Sequence, residues 1–341
     1  VITNIKRCVV SGWHIIPLDV ELDTRHTMIE LLNQIHHADW LTNNLPDKSV
    51  QLIIADPPYF EVKGSFDFVW KSFDDYLKDV EKWAIECKRI LADNGTLFWY
   101  GNSKKIAYSQ MILDKYFNLE SSLVWRKKDS IQYQYYSPDL ARTFNTHNER
   151  LLMYSAKVFD KRNPFAEYLN YKFKFYSIKK REMQEIFPSR TGGLTGCVSN
   201  WLNGDNVMTE DQYIAVQNKW GKHIFDKEYK TLIDEYEKSR RFFYNPNKYE
   251  EVLEFLSEGH KTKNYDHDTC KPETLTRALI LTCSRPDDIV FVPFAGSGTE
   301  VAMAIKEGRK AIGYDIEKKY VDMANRRVDI INAQPSLFCF A

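Results

Sequence analysis

Closely spaced cysteines are absent from this sequence. Six cysteines are scattered along the 341 residues without a Cys-x-x-Cys pair, at Cys8, Cys87, Cys197, Cys270, Cys283 and Cys339. Their spacing predicts neither a zinc ribbon nor a disulfide framework, and it is typical of proteins in a reducing cytoplasm. His36 and His37 have no ligand-like partner nearby in the chain, so we expect no metal site.

Long apolar runs and a net charge are also missing. No apolar run approaches the length of a membrane span, which predicts a protein that does not cross a membrane. The 47 Lys and Arg residues are balanced by 47 Asp and Glu residues, whereas nucleic-acid-binding proteins are often basic. Residues 157–190 nevertheless hold nine Lys or Arg and four Asp or Glu. Such a stretch forms either a solvated face or a patch that contacts phosphates.

Neither of two common nucleotide-binding fingerprints, Gly-x-Gly-x-x-Gly and the P-loop, occurs here. A glycine turn, residues 294–299, instead joins a predicted strand (289–293) to a predicted helix (300–307). Its small residues let the backbone approach a ligand closely. The next predicted strand, 310–314, ends at Asp315, and a carboxylate at that place typically accepts both ribose hydroxyls of a nucleotide. The alternative is a turn with a purely structural role.

A second candidate site follows the predicted buried strand Val50–Ala55. Asp56 comes first, then Pro57 and Pro58, which end the strand because neither can donate to a ladder, and then Tyr59. This strand end presents one carboxylate, rigid carbonyl acceptors and one flat ring. Such a set can hold a planar group that carries an amine. A surface carboxylate before prolines in an ordinary turn is the alternative.

The order of predicted elements divides the chain into three parts. Strands and helices alternate in the first and last parts, which is typical of an α/β sheet, whereas the middle holds few strand signals and many charges. We therefore predict a first part (1–155), an inserted helical region (156–262) and a last part (263–341). Predicted helices in the insert, of which the first three form a helix-turn-helix pattern, lie at 177–187, 194–202, 209–220, 226–241 and 249–256.

The two candidate sites resemble those of the S-adenosylmethionine-dependent amino-methyltransferases of DNA. Asp-Pro-Pro-Tyr (56–59) is the target-base motif of their adenine-N6 branch, and Pro-Phe-Ala-Gly-Ser-Gly-Thr (293–299) is their cofactor motif nearly letter for letter. The order of the motifs, with the insert between them, is that of the β-class of the family. Residues 267–272 resemble the family's His-Pro-Thr-Gln-Lys-Pro, and Ala38-Asp39 resembles its Gly-Asp. The resemblance covers residues 36–155 and 265–330.

The resemblance implies a fold, a reaction and a set of site residues. The fold is α/β, a doubly wound Rossmann-like methyltransferase sheet that is mostly parallel with one antiparallel strand and carries an inserted, mainly helical target-recognition region. The reaction is methyl transfer from S-adenosyl-L-methionine to the N6 amino group of a flipped-out adenine in double-stranded DNA. The catalytic residues are Asp56, Pro57, Pro58 and Tyr59. The implied cofactor-binding residues are Asp39, Lys271, Phe294, Ala295, Gly296, Ser297, Gly298, Thr299 and Asp315.

Three positions depart from the family's pattern. Val292 stands where the family usually has an aspartate near the methionine ammonium of the cofactor. This departure bears on cofactor affinity and on which other group accepts the ammonium. Asp268 replaces a proline and Cys270 replaces a glutamine. None of the three removes a group that the transfer chemistry itself needs.

The insert resembles, more loosely, that of phage- and prophage-type adenine methyltransferases with a helix-turn-helix-like stretch. A target-recognition role places residues 194–202 in or near the major groove, and basic side chains such as Lys172 and Lys174 on phosphates. The alternative is a helical bracket that only packs on the catalytic domain. The aromatic loop 133–136 either closes over the flipped base or is an ordinary loop. The predicted DNA-binding residues are Lys179, Lys180, Arg181, Arg190, Thr195, Ser199 and Asn200.

Three other activities stay open. A cytosine-N4 DNA methyltransferase uses the same chemistry, although that branch more often has Ser in place of Asp56. The helix-turn-helix pattern and Val292 fit a catalytically weak DNA-binding regulator on the same fold, and RNA methylation is the third alternative. Cysteine-dependent transfer to cytosine C5 is disfavoured because no cysteine follows a proline. The resemblance also implies a cytoplasmic, bacterial or phage-encoded enzyme of restriction-modification, phage protection or gene control, and in some members a homodimer.

Overall fold

The structure of the protein, a computed structural model, describes residues 8–11, 14–17, 28–62, 65–128, 147–157, 163–187, 196–257 and 270–333. The chain forms two compact units. The first is made of Val1–Lys157 and Phe242–Ala341, and the second of Val158–Arg241. Each unit has its own hydrophobic core.

The first unit is built around an eight-stranded sheet. The described strands are β1 (Cys8–Ser11), β2 (His14–Pro17), β3 (Gln34–His37), β4 (Val50–Ala55), β5 (Leu91–Gly101), β6 (Phe117–Lys127), β7 (Asn148–Ala156), β8 (Val252–Phe255), β9 (Ile289–Val292) and β10 (Lys310–Asp315). The order across the sheet is β3-β10-β9-β4-β5-β7-β6-β8. β7 runs antiparallel to β5 and β6, and the other pairings are parallel. The prediction of a mostly parallel sheet with one antiparallel strand is confirmed. β1 and β2 pair antiparallel with each other in a separate two-stranded sheet.

Helices of the first unit cover both faces of this sheet. The described α-helices are α1 (Phe73–Ile90), α2 (Ile106–Leu113), α3 (Pro164–Phe175), α4 (Lys180–Ile186), α5 (Cys197–Asn203), α6 (Glu210–Trp220), α7 (Tyr229–Ser239), α8 (Glu273–Cys283), α9 (Thr299–Lys306) and α10 (Lys318–Ala333). Ile53 and Ala55 of β4 belong to a hydrophobic cluster that includes α1, whereas Leu52 and Ile54 belong to a cluster that includes α8, α9 and α10. Successive strand residues face opposite sides, so the apolar run of β4 is buried on both faces, as in doubly wound folds.

Helices α3 to α7 form the second unit around their own core, in which Phe165, Trp201 and Tyr213 are buried. The predicted start of α6 is confirmed. The Thr209 hydroxyl accepts a hydrogen bond from the Gln212 N–H, and the Gln212 side chain accepts one from the Thr209 N–H, which together make a capping box. Helix α3 is missing from the predicted elements.

Two predictions for the insert are wrong. The segment predicted as a helix at 249–256 contains β8, which pairs in parallel with β6 at the sheet edge. The second unit therefore ends at Arg241, not at residue 262. The predicted helix 194–202 begins only at Cys197, after its N-cap Gly196.

Among the described helices, none is both long enough and apolar enough to cross a membrane. Within the part of the chain that the structure describes, no group of three or more His, Cys, Asp or Glu could hold a metal ion.

Candidate active site

The predicted site residues of the catalytic part lie where four neighbouring strands end. β3, β10, β9 and β4 are adjacent and parallel, so their carboxyl ends meet at one edge of the sheet. Asp39 follows β3, Asp315 ends β10, the glycine turn follows β9 and Asp56 follows β4. The crevice outside the carboxyl ends of the strands is the usual ligand site of open α/β sheets.

The glycine turn is fixed by the end of β10. The Asp315 carboxylate accepts hydrogen bonds from the backbone N–H groups of Gly296 (2.8 Å) and Glu317 (2.8 Å). The N–H of Ala38 donates to the Asp315 carbonyl at 3.2 Å, and this contact brings the end of β3 against the end of β10. Asp39 accepts a hydrogen bond from the Leu41 N–H (3.0 Å). Both carboxylates predicted to meet the nucleoside thus lie on adjacent strand ends.

The rest of the turn is held by an arginine that the sequence analysis did not single out. Arg327 of α10 is 4% exposed. Its guanidinium donates to the Ser297 carbonyl (3.3 Å) and to the Thr299 hydroxyl (2.8 Å), and it pairs with Glu273 at 2.6 Å. In sequence, Arg327 is a charged residue beside Val328 on the apolar face of an amphipathic helix. That position is the signal by which it could have been found. Phe294 packs against Trp40 and Trp83, and Ala295 is buried.

Replacement of Gly298 by Ala is expected to destabilise the protein by about 3 kcal/mol or more. Gly298 has a φ of +71°, and a Cβ atom there would lie 2.6 Å from the Cβ of Ala324. The left-handed backbone costs a non-glycine residue about 1–2 kcal/mol, and the collision adds an overpacking cost of about 1–3 kcal/mol. Urea unfolding measures the loss.

Gly308 provides the matched control for this substitution. It has a similar φ of +76°, yet a Cβ atom there would meet no other described atom within 4 Å. Gly308→Ala is therefore expected to cost only the backbone strain of about 1–2 kcal/mol. Equal losses for the two variants would contradict the close contact between the glycine turn and α10.

The Asp56 carboxylate is held by two side chains. The Tyr59 hydroxyl donates to Asp56 Oδ1 at 2.5 Å, and the Lys271 ammonium lies 2.6 Å from Asp56 Oδ2. Tyr59 is fixed in turn, because its backbone N–H donates to the buried Asp67 carboxylate at 2.6 Å. Burial, together with the charge of Asp56, raises the pKa of Tyr59 well above its usual range, so its hydroxyl stays a neutral donor. Pro57 is buried directly after β4.

Lys271, which was predicted to bind the cofactor, pairs with two carboxylates: Asp56, which belongs to the predicted site, and Glu149, which does not. Its ammonium also lies 3.2 Å from Glu149 Oε2, and Glu149 pairs with Lys127 at 2.7 Å. Burial opposes the charge on Lys271, which is 5% exposed, yet Asp56 and Glu149 hold its pKa above its usual range. Burial likewise disfavours the charged form of Glu149, but the ammonium groups of Lys271 and Lys127 lower its pKa to about 2. Both ends of this ion-pair network are charged at neutral pH.

Two further buried groups border this network. The Lys271 ammonium lies 4.8 Å from the centre of the Tyr100 ring, and Tyr100 is fully buried. Glu300, at the start of α9, is 5% exposed. Two causes raise the pKa of Glu300 to about 7: its burial, which is the larger, and the negative charge of Asp56. Neither residue belongs to the predicted site, because their proximity to Lys271 arises only from the fold.

The variant Glu300→Gln is expected to be more stable than the wild-type protein at neutral pH. The pKa of Glu300 rises from 4.5 to about 7 on folding, so the folded chain holds this proton more tightly. Its ionisation therefore destabilises the fold as the pH rises through that window. Relative to wild type, the variant should gain about 2 kcal/mol in unfolding free energy between about pH 5 and about pH 8. Urea unfolding without cofactor measures this, and a difference independent of pH would contradict it.

The predicted DNA-binding residues lie in the second unit, where the structure describes five of the seven. Lys179, Lys180 and Arg181 are exposed around the start of α4, and Ser199 and Asn200 are half-buried on α5. Their proximity to DNA stays a prediction.

Other predicted contacts of the insert fall outside the described residues or are wrong. Arg190, Thr195 and the aromatic loop 133–136 lie outside the described residues. Lys172 was expected on a phosphate, but it is 7% exposed and pairs with Asp226 at 2.8 Å. Lys172 lies on the buried side of α3 and is therefore a structural lysine.

The fold and the site together define a class of protein: a doubly wound α/β protein in which a glycine turn lies beside a carboxylate at the end of the neighbouring strand. The chain belongs to the DNA methylase family of N6 and N4 methyltransferases, whose profile matches residues 50–326.

The proteins to which this chain is similar include named bacterial methyltransferases. The chain is 30% identical over 305 residues to the DNA adenine methyltransferase YhdJ of Escherichia coli strain K12, covering 87% of this chain and 82% of that protein. It is 26% identical over 327 residues to the type II methyltransferase M.HinfI of Haemophilus influenzae, covering 90% and 71%.

Solved structures share the fold. M1.HpyAVI in complex with S-adenosylmethionine matches with a TM-score of 0.50 at 18% identity, covering 87% of this chain and 98% of that one. The DNA modification methylase TTHA0409 of Thermus thermophilus, complexed with S-adenosyl-L-methionine, matches with a TM-score of 0.50 at 17% identity, covering 89% and 95%.

Proposed function

We propose that this protein is an S-adenosylmethionine-dependent DNA methyltransferase that methylates the N6 amino group of adenine. One observation carries the proposal. The Asp56 carboxylate is held by Tyr59 and Lys271 at the same sheet edge as the glycine turn and Asp315. A methyl acceptor and a nucleoside cofactor can therefore bind next to each other. The similarity to the adenine methyltransferase YhdJ supports adenine as the target base.

The residues of the glycine turn fit S-adenosyl-L-methionine. Gly296 and Gly298 adopt the positive φ that glycine permits, and because they carry no Cβ, no side chain stands between their backbone and a ligand. Asp315 Oδ1 and Oδ2 each accept one backbone N–H, and the remaining lone pairs can accept ribose hydroxyls. Asp39, on the adjacent strand end, approaches the adenosine. When bound, the cofactor supplies a methyl group on a sulfonium whose leaving group is a neutral thioether.

The protein's part in the reaction is to orient the amine and stabilise the developing charge. Asp56 accepts a hydrogen bond from the N6 amine, and the Pro57 carbonyl accepts the second. These contacts favour a tetrahedral nitrogen, whose lone pair then points at the methyl group, and they stabilise its growing positive charge. Lys271 and the Tyr59 hydroxyl hold the carboxylate in place, and the Tyr59 ring stacks on the base.

The second unit is assigned to target recognition. A base inside a duplex cannot reach Asp56, so the adenine must be flipped out, and a separate surface is needed to hold the duplex. Lys179, Lys180 and Arg181 present positive charge at the start of α4, while Ser199 and Asn200 carry hydrogen-bonding groups on α5. The basic side chains suit phosphates and the two polar side chains suit base edges.

Replacing Lys179, Lys180 and Arg181 together by Ser is expected to raise the KM for DNA by about tenfold and to weaken its salt dependence. The Kd for S-adenosylmethionine should be unchanged. The matched control replaces Lys219 and Lys230, two exposed lysines of the same unit, and should leave the KM for DNA unchanged. Equal effects of the two sets would contradict a specific DNA contact at α4.

The experiment that tests the proposed function transfers labelled methyl from S-adenosylmethionine to DNA and identifies the product base by mass spectrometry. We expect N6-methyladenine, formed on duplex DNA in preference to RNA. Formation of N4-methylcytosine would instead identify the protein as a cytosine-N4 methyltransferase, the other activity of its family. Tight DNA binding without any methyl transfer would instead support the regulator.

A homodimer and a cytoplasmic location stay predictions. Sedimentation equilibrium with and without DNA tests the first, because a monomer at all concentrations would exclude it. Fractionation of expressing cells tests the second.

A further inference from the structure

Glu300 is a buried carboxylate that the proposed transfer does not use. It is the second residue of α9 and follows the glycine turn directly. Its side chain is 5% exposed, and its Oε1 atom accepts no hydrogen bond from the part of the chain that the structure describes. Buried polar atoms are nearly always satisfied, so an unpartnered one calls for an explanation. A group of opposite charge that arrives with a ligand is one such explanation.

The surroundings of Glu300 connect the cofactor turn to the methyl-acceptor site. Arg327 approaches it from the turn side and is already paired with Glu273. The Tyr100 hydroxyl, which is fully buried, also lacks a hydrogen-bond partner among the described residues. The groups that face Glu300 are Asp56 after β4, Tyr100 on β5, Lys271 before α8 and Arg327 on α10.

The charges of this cluster do not balance when Glu300 is ionised. Asp56, Glu149, Glu273 and Glu300 then count as four negative charges, whereas Lys271, Lys127 and Arg327 count as three positive charges. Inside a protein an unmatched charge is costly. The cluster is neutral either when Glu300 is protonated or when a cation is bound beside it.

We propose that Glu300 makes the cofactor site select the cationic S-adenosylmethionine over its neutral product, S-adenosylhomocysteine. This inference rests on the proposed function. Both molecules carry the same adenosine, ammonium and carboxylate, and they differ in the sulfonium, which becomes a thioether when the methyl leaves. The unmatched carboxylate next to the glycine turn attracts the sulfonium and has no such attraction for the thioether. The same carboxylate therefore favours loading of the cofactor and release of the product.

Proton release on binding follows from this arrangement. Without a cation, burial and Asp56 keep the pKa of Glu300 at about 7, so a fraction of the chains is protonated near neutral pH. The sulfonium favours the ionised form, and the proton leaves to the buffer when the cofactor binds. S-adenosylhomocysteine brings no extra charge and should release fewer protons.

Isothermal titration calorimetry tests the proposal with S-adenosylmethionine and S-adenosylhomocysteine as probes. Titrations at about pH 7 in buffers of different ionisation enthalpy give the number of protons released. For wild type we expect more protons with the cofactor than with the product. For Glu300→Gln we expect the affinity ratio of cofactor to product to fall by about tenfold or more, because the variant lacks the charge that attracts the sulfonium, and the difference in proton release to disappear.

Glu307→Gln is the matched control, since Glu307 lies just after the other end of α9 and is paired with Arg277 at 2.6 Å. It should keep the wild-type affinity ratio. An unchanged ratio in Glu300→Gln, or equal proton release by the two ligands in wild type, overturns the inference and leaves the proposed function standing. Failure of wild type to bind either molecule overturns both.

Discussion

The variant Asp56→Asn is expected to lose methyl transfer by a factor of about 10² to 10³ in kcat, because the amide cannot stabilise a positive charge on the amine as a carboxylate does. It keeps one oxygen as an acceptor for the Tyr59 hydroxyl, so the local structure should survive. The cofactor turn is held by Asp315 and Arg327 rather than by Asp56. Single-turnover kinetics at saturating S-adenosylmethionine measure the loss.

A matched control exists for this substitution. Asp114 accepts a hydrogen bond from the Tyr154 hydroxyl at 2.9 Å, which repeats the Asp–Tyr contact of the site at a place that follows α2 instead of β4. Asp114→Asn should leave kcat unchanged. Full transfer activity in Asp56→Asn would remove the role assigned to the carboxylate, whatever the control does.

The second large effect is expected on stability. Lys271→Met should lower the unfolding free energy by about 3 kcal/mol near neutral pH, because it leaves the carboxylates of Asp56 and Glu149 without their shared ammonium. Chemical unfolding without cofactor measures this loss.

The loss should depend on pH in a defined direction. The pKa of Glu149 falls from 4.5 to about 2 on folding, so its ion pairs stabilise the protein above about pH 4.5, and this contribution disappears as the pH falls toward about 2. The difference between wild type and Lys271→Met should therefore shrink in acid. A constant difference over this range would contradict the ion-pair account.

Lys172→Met is the control that separates the effect of burying a lysine from the effect of its partly buried partners, Asp56 and Glu149, whose side chains are 21% and 19% exposed. Lys172 is 7% exposed, but its partner Asp226 has a side chain that is 69% exposed. Water can solvate Asp226 when the lysine is removed. Its loss of stability should be clearly smaller than that of Lys271→Met, and an equal loss would mean that burial of the lysine stem alone explains both.

The parts of the fold predicted from sequence are those fixed by local patterns. The apolar run Val50–Ala55 ended by two prolines, and the glycine turn before α9, each carry their structure within a few residues. Helix α3 was readable in the same way and was missed. Asn163 accepts a hydrogen bond from the Ala166 N–H as the N-cap, and Pro164 follows it in the first turn, which is a regular start signal.

β8 was misread because a tertiary contact overrides a local pattern. Tyr249, Val252, Leu253 and Leu256 repeat at the spacing of an amphipathic helix. The backbone of 252–255 instead pairs with β6, and Leu253 becomes buried. The strand preference of a short apolar run depends on whether a neighbouring edge is available, and that information lies in a distant part of the chain.

The chemistry of the site was predicted only in part for the same reason. Asp56 and Tyr59 are close in sequence, so their motif could be recognised. The insert separates Lys271 from Asp56 in sequence, and only the fold brings their side chains together. Glu300 lies near both because β9, the strand before its helix, pairs with β4. The sequence thus identifies the groups proposed to touch the ligands, while the side chains that set their charge become apparent only from the packing.

The most direct test of the central claim is methylome sequencing of DNA from cells that express the wild-type protein or Asp56→Asn. We expect N6-methyladenine at one recurring sequence with the wild-type protein and its absence with the variant. N4-methylcytosine at that sequence, or N6-methyladenine that persists in the variant, would contradict the claim that the Asp56 site, beside the glycine turn, transfers the methyl group to adenine.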